Sequence, residues 1–204
     1  MKCFKLDKLD KKKFKNLYEG SMKMNIVEPI RDTEKIEEIH NYLTKKNKRD
    51  ALLFSFGIYS GLRISDILKF RVADCYKKTY NIREKKTNKQ KIMEWNPHLY
   101  KEIQEFIKER KPNDFLFKSR NGYNQPISRV RAYQIIVSAC NNCQVYNIGT
   151  HSLRKTFGYH MYKKSKDIAM LMDLLNHSAP DITLRYIGIS NEKSNENIKK
   201  MKLF

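Results

Sequence analysis

Residues 150–190 read THSLRKTFGYHMYKKSKDIAMLMDLLNHSAPDITLRYIGIS. The stretch places His151, Arg154, His177 and Tyr186 on short amphipathic segments that can fold together. Thr150 is a helix-capping residue type, and His151 and Arg154 then fall at i and i+3, on one helical face. Asp167 can cap a second helix, in which Ile168, Leu171, Leu174 and Leu175 keep helical spacing. Asn176 is a left-handed cap candidate that would turn His177 off the helix end. Ser178, with Pro180 two residues on, reads as a new helix start with Tyr186 about two turns inside. A tyrosine nucleophile needs its proton taken and needs negative charge offset on the group it attacks. Arginine matches phosphate oxygens bidentately and keeps its charge, so this set suits phosphorus better than a carbonyl. Spacing alone also allows a basic helical segment with surface histidines and one core tyrosine.

Composition narrows the choice of partner. The chain has 204 residues, enough for one domain or a small pair with a real core. Lys plus Arg number 42 against 22 acidic residues, a net charge of +20. Such an excess predicts a polyanionic partner, double-stranded DNA or, as the competing reading, a membrane surface. No run of eighteen apolar residues occurs, and MKCFKLDKLDKKK lacks a signal-peptide core, so a cytoplasmic protein is expected. Cys3, Cys75, Cys140 and Cys143 should then be reduced thiols. Cys140-x-x-Cys143 is a lone pair with no second pair at zinc spacing, so no metal site is expected.

Along the chain, residues 1–26 form a basic tail, and residues 1–31 carry nine basic side chains against four acidic ones. Asp32 or Thr33 opens a helix with Ile36, Ile39 and Leu43 on one face. The run from Arg49 to Tyr59 is almost wholly apolar and predicts a central helix ended by Gly61, with Arg63 just before a helix capped by Ser65. An arginine beside a buried helix either snorkels to water or holds an anion. Thr79–Arg83 and Gln90–Trp95 flank Lys85-Lys86-Thr87-Asn88-Lys89, a predicted hairpin with a basic tip. Asn96-Pro97 starts a helix through Leu99, Ile103, Phe106 and Ile107, and Asn121-Gly122 marks a turn. Ser128 can cap a helix with Val130, Tyr133, Val137 and Cys140 inward, and Arg120, Arg129 and Arg131 are candidate DNA-backbone contacts.

The chain resembles the tyrosine recombinase, or phage integrase, family. The resemblance rests on GLRISDILKF around Arg63, REKKTNK with Lys86, HSLRKTF with His151 and Arg154, and LLNHSAPDITLRY with His177 and Tyr186, all in family order. It runs from about Val27 to Ser190 and points to the short single-domain forms of low-GC Gram-positive bacteria. Asn176 departs from the usual glycine, but asparagine also tolerates the left-handed conformation. The resemblance implies a mainly α (α+β) catalytic domain over residues 27–190, with a small antiparallel β element. It also implies site-specific DNA strand exchange without metal or nucleotide. Tyr186 would attack the scissile phosphate and form a 3′-phosphotyrosine. Arg63 and Arg154 would clamp the phosphate, and His177 would donate to a non-bridging oxygen. His151 would be the general base, Lys86 the general acid (Lys85 being the alternative register), and Asp66 would orient Arg63.

The longer members carry a separate core-binding domain, for which 204 residues leave no room, so an accessory partner is an open expectation. Residues 191–204 read as a tail helix with Ile198, Met201, Leu203 and Phe204 apolar. In the family such a tail docks on a neighbouring subunit of a tetramer; the alternative is that it packs on its own subunit. Two other functions use the same residues differently: a type IB topoisomerase-like nicking-closing enzyme, and a DNA-binding accessory protein that does not cut.

Overall fold

The computed structural model describes residues 27–83, 90–189 and 199–201. Lys86 and Lys85, the 1–26 tail and nearly all of the 191–204 tail lie outside the described residues. Asp32 caps α1 (Thr33–Lys46) by accepting from the Glu34 and Lys35 amides, and α1 buries Ile39 and Leu43. Asn47 then caps α2 (Lys48–Ser60). This helix buries every residue from Asp50 to Gly57, as its unbroken apolar run requires.

Gly61 ends α2 at φ 62°, ψ 12°. A Cβ there would lie 2.3 Å from Cδ1 of Phe157, so glycine is needed for both its conformation and its contact. The next helix, α3 (Ile64–Ile67), corrects one expectation. Arg63 itself occupies the N-cap position without a side-chain cap, and Ser65 is already helical. A 3-10 turn (Val72–Cys75) leads to β1 (Thr79–Arg83) and β2 (Gln90–Glu94), one antiparallel pair in which Thr79 faces Glu94 and Arg83 faces Gln90.

Asn96 caps α4 (Pro97–Ile107), with proline in the first turn, where its missing N–H costs nothing. Gly122 adopts φ 76° in the turn before α5 (Arg129–Asn142), which Ser128 caps through the Arg131 amide. The inward face of α5 meets the expectation at Cys140 and departs from it at Val130 and Tyr133. Ala132, Ile135, Ile136, Ala139 and Cys140 are buried, whereas Val130 is 62% and Tyr133 37% exposed. The buried face repeats at i, i+3, i+4, i+7 and i+8 from Ala132, rotated away from the face chosen from spacing.

Three helices complete the described chain: α6 (Thr150–Ser165), α7 (Ile168–Leu175) and α8 (Pro180–Tyr186). Gly149, not Thr150, is the N-cap of α6, and its amide donates to Ser152 Oγ at 3.1 Å. Likewise Ala179 rather than Ser178 precedes α8, and Tyr186 is that helix's last residue rather than an interior one.

Apolar burial falls into two bodies. The larger spans α1 to α5 with Leu153 of α6 and includes Phe54, Phe56, Phe117 and Trp95. The smaller consists of Tyr159, Leu171, Leu175, Ile187 and Ile189, with Phe157, Leu184 and Tyr186 packed on it. The α6 helix belongs to both. Among the described residues no helix is long and apolar enough to cross a membrane.

Candidate active site

The site assembles where α6 passes between the two apolar bodies. Arg154 is at its centre and only 6% exposed. One guanidinium nitrogen donates to the Gly61 carbonyl and the other to the Leu175 carbonyl, the latter at 2.8 Å. Both acceptors lie at helix C-termini, where carbonyls lack helical partners and the dipole is negative. A buried cation is costly unless its donors are satisfied, and here two helix ends satisfy it. Arg154 therefore ties the ends of α2 and α7 together, and this position follows from the tertiary fold rather than from its own segment.

Asn176 supplies the turn that follows α7. It sits at φ 51°, ψ 52°, with its amide donating to Asp173 O at 3.2 Å and the His177 amide to Met172 O at 2.9 Å. These are the two hydrogen bonds of a Schellman motif, and they swing His177 off the helix as expected. The His177 ring is set by Thr183, which is fully buried. Thr183 Oγ1 donates to Ala179 O at 3.2 Å and lies 3.1 Å from His177 Nδ1. With its proton committed to Ala179, the hydroxyl accepts from Nδ1–H, so Nε2 is the nitrogen left for other work.

Tyr186 lies perpendicular to His177, with ring centroids 5.0 Å apart. Burial pushes its hydroxyl pKa up, while the charges of Arg154 and Arg63 and a hydrogen bond from Arg154 pull it down. Burial likewise lowers the His151 pKa, with further lowering from Arg154, Arg63 and Lys155. His177 is lowered by burial and then by Arg154 and Arg63. Arg154 is itself lowered by burial and by Arg63, against the raising influence of Tyr186 and Asp66. Arg63, His151, Arg154, His177 and Tyr186 thus share one electrostatic neighbourhood, brought from three places in the chain. Arg63 is exposed at the start of α3, so its guanidinium is open to a ligand. The Asp66 carboxylate meets Lys69 Nζ at 3.2 Å.

Sequence reasoning missed three members of this neighbourhood: Thr183, Lys155 and the pair of helix-end carbonyls. Thr183 carried no signal, being a β-branched polar residue in a short helix. The carbonyls belong to the backbone, and only the fold brings them to Arg154.

Comparison with known proteins gives the architecture its place. A family model described as the phage integrase family matches residues 31–193. The chain belongs to that family. A Bacillus subtilis protein named probable integrase/recombinase YoeC is 51% identical over 170 residues, 83% of this chain and 93% of its own. Tyrosine recombinase XerA of Pyrococcus horikoshii is 27% identical over 160 residues, 77% of this chain but 56% of its own length. The chain thus spans most of the Bacillus protein and about half of this longer tyrosine recombinase. Among solved structures, the crystal structure of XerA recombinase superposes with a TM-score of 0.67 at 16% identity, covering 86% of this chain and 65% of that one. XerH site-specific recombinase, solved bound to palindromic difH substrate in a post-cleavage complex, gives 0.63 at 16% identity, covering 86% and 53%. The fold is the tyrosine recombinase catalytic domain, mainly helical with one small antiparallel sheet.

Proposed function

We propose that the chain is a tyrosine-type site-specific recombinase that cuts and rejoins double-stranded DNA through a covalent tyrosyl phosphodiester. The observation that carries this reading is the buried Arg154 guanidinium, fixed by two helix-end carbonyls, with its charge acting on the Tyr186 hydroxyl. A guanidinium held in place before substrate arrives costs no reorganisation when charge develops.

In the proposed reaction the Tyr186 oxygen attacks the scissile phosphorus as His151 takes its proton. His151 suits that role because its depressed pKa keeps the ring unprotonated near neutral pH. The new bond joins Tyr186 to the 3′ phosphate, and the bond to the 5′ oxygen breaks, with Lys86 donating the proton that oxygen needs. Arg63 and Arg154 offset the growing charge, and Asp66, whose charge also acts on Arg154, orients Arg63. His177 donates from Nε2 to a non-bridging oxygen. Since Nδ1 is committed to Thr183, that donation requires the doubly protonated ring. A bound phosphate favours this state by offsetting the charge of Arg63 and Arg154. The ester conserves the bond energy, so a second 5′ hydroxyl can reverse the step. Exchange between two duplexes needs four tyrosines, which points to a tetramer on DNA, with residues 191–204 as the proposed contact between subunits.

Trapping the protein on fragmented DNA and sequencing the attached strand identifies a cleavage site. Two different duplexes carrying that site should then yield joined strands of mixed parentage. Relaxed circles without exchange would indicate a nicking-closing enzyme. Undiminished binding with no attachment would indicate a binder that does not cut.

A further inference from the structure

Lys155 follows Arg154 in α6, and its half-buried ammonium is used in a specific way. It donates to the Val27 carbonyl at 2.7 Å and lies 5.3 Å from the centroid of the Tyr186 ring. That carbonyl is held in turn by the residues after it. The Glu28 amide donates to Asn147 O at 3.1 Å, and the Ile30 amide donates to Thr156 Oγ1 at 2.8 Å. Ile30 O lies 3.0 Å from His160 Nε2. Arg31 pairs with Glu28 at 2.9 Å and stands over the Tyr159 ring at 5.5 Å. The same Arg31 reaches the turn after the nucleophile helix, for a Cβ on Gly188 would lie 2.6 Å from its Nη2. Residues 27–31 therefore form a strap along α6 that arrives beside Tyr186 from the opposite end of the chain.

The strap bears on where the Tyr186 oxygen can go. The second side-chain torsion of tyrosine is broad, so neighbours must fix the ring plane if the hydroxyl is to stay at one point. Here His177 stands perpendicular to the ring. Lys155 sits over the ring as a cation, the arrangement the negative face of an aromatic attracts. A free lysine would swing into water, but the Val27 carbonyl keeps this ammonium in place. We propose that Lys155 is a positioning residue that, anchored on the Val27 carbonyl, holds the ring of Tyr186 for attack. This rests on the reading of Tyr186 as nucleophile, although part of its test needs no DNA.

Three variants separate the parts. Lys155→Met keeps the stem and removes the charge, Lys155→Gln keeps a donor for Val27 without the cation, and Lys155→Arg keeps both. The first readout is the NMR signal of the His177 ring protons in the free protein, assigned by comparison with Tyr186→Phe, which alters the ring beside them. Lys155→Met should shift these signals, Lys155→Gln should shift them part-way, and Lys155→Arg should restore them. The second readout is the rate of covalent attachment at saturating concentrations of the duplex recovered by trapping. Lys155→Met should slow it about tenfold or more, because displacing a reacting atom even slightly is expensive. The duplex concentration for half-saturation should not change.

Unmoved His177 signals in a folded Lys155→Met protein would overturn the proposal even if that protein never cuts DNA. So would weaker binding and a shallower salt dependence with an unchanged saturated rate, since that pattern marks an ordinary phosphate contact. If Lys155→Met fails to fold, the Gln and Arg variants decide: equal His177 signals and equal rates in the two would exclude a role for the charge.

Discussion

The two apolar bodies of this protein do different jobs. The larger one is built on α2, whose residues from Asp50 to Gly57 are all buried, and it closes around a cluster of aromatic rings. Phe56 makes edge contacts with Phe70, Trp95 and Phe117 at centroid distances of 5.1, 5.1 and 5.6 Å. The smaller one is a handful of side chains under α7 and α8, and it carries the tyrosine. Arg63 stands on the first body and Tyr186 and His177 on the second. Arg154 joins them through a carbonyl from each. The lesson is a division of labour: a rigid floor that sets the arginines, and a lightly held module that presents Tyr186, the proposed nucleophile.

That division predicts unequal responses to damage. The largest belongs to Phe54, which is fully buried in the main body. Phe54→Ala should cost about 3–5 kcal/mol and lower the denaturation midpoint of the whole protein. Leu171, fully buried in the small body, should behave differently. Leu171→Ala should cost about 2–5 kcal/mol locally, seen as lost amide-exchange protection over residues 168–189 while α2 stays protected. Equal loss of protection in α2 would show that the two bodies open as one.

A methyl group placed at the seam sharpens the contrast. A Cβ on Gly158 would come within 2.7 Å of Ile187 Cγ2, next to Tyr186. Gly158→Ala should therefore cost about 1–3 kcal/mol by overpacking and reduce covalent attachment to DNA, with α2 exchange unchanged. A smaller effect is expected at Asn176. The left-handed conformation costs a β-branched residue more than asparagine, so Asn176→Val should lose about 1–2 kcal/mol and displace His177. Asn176→Gly should be close to neutral.

The smallest effect lies far from the site. His40 Nε2 meets Glu102 Oε1 at 3.3 Å between α1 and α4, and this contact raises the His40 pKa against the opposing influence of burial. A raised pKa in the folded state means that the contribution is fully present below the unfolded value of about 6.5 and is lost as pH rises through the higher folded value. Being a partly exposed pair, it should add less than about 1 kcal/mol. The stability difference between the protein and His40→Gln should shrink toward zero from pH 6 to pH 8.

What was legible in the sequence follows the same divide. Helices with local signals came through: Asp32, Asn96, Ser128 and Asp167 all cap as their types suggest, and Asn176 turns left-handed. The family of motifs around Arg63, Arg154, His177 and Tyr186 was equally plain, because each motif is local in sequence. Some failures are local, since the caps expected at Ser65, Thr150 and Ser178 fall instead at Arg63, Gly149 and Ala179, and the others are tertiary. The face of α5 was misjudged because Val130 and Tyr133 fit a helical spacing as well as Ala132, Ile135 and Ile136 do, and only the fold selects between them. The strap of residues 27–31 stayed invisible because its bonds to α6 reach partners 126 to 130 residues away. Lys155 carries no signal in its own segment for the same reason.

In the proposed reaction Tyr186 becomes covalently joined to DNA while the rest of the site stays in place. The direct measurement is to trap the protein on DNA, digest both components and find by mass spectrometry which peptide carries a nucleotide. A 3′-phosphonucleotide is expected on the peptide containing Tyr186, with Tyr186→Phe binding the same DNA but giving no attached peptide. A nucleotide on any other residue, or denaturant-resistant attachment by Tyr186→Phe, would contradict it.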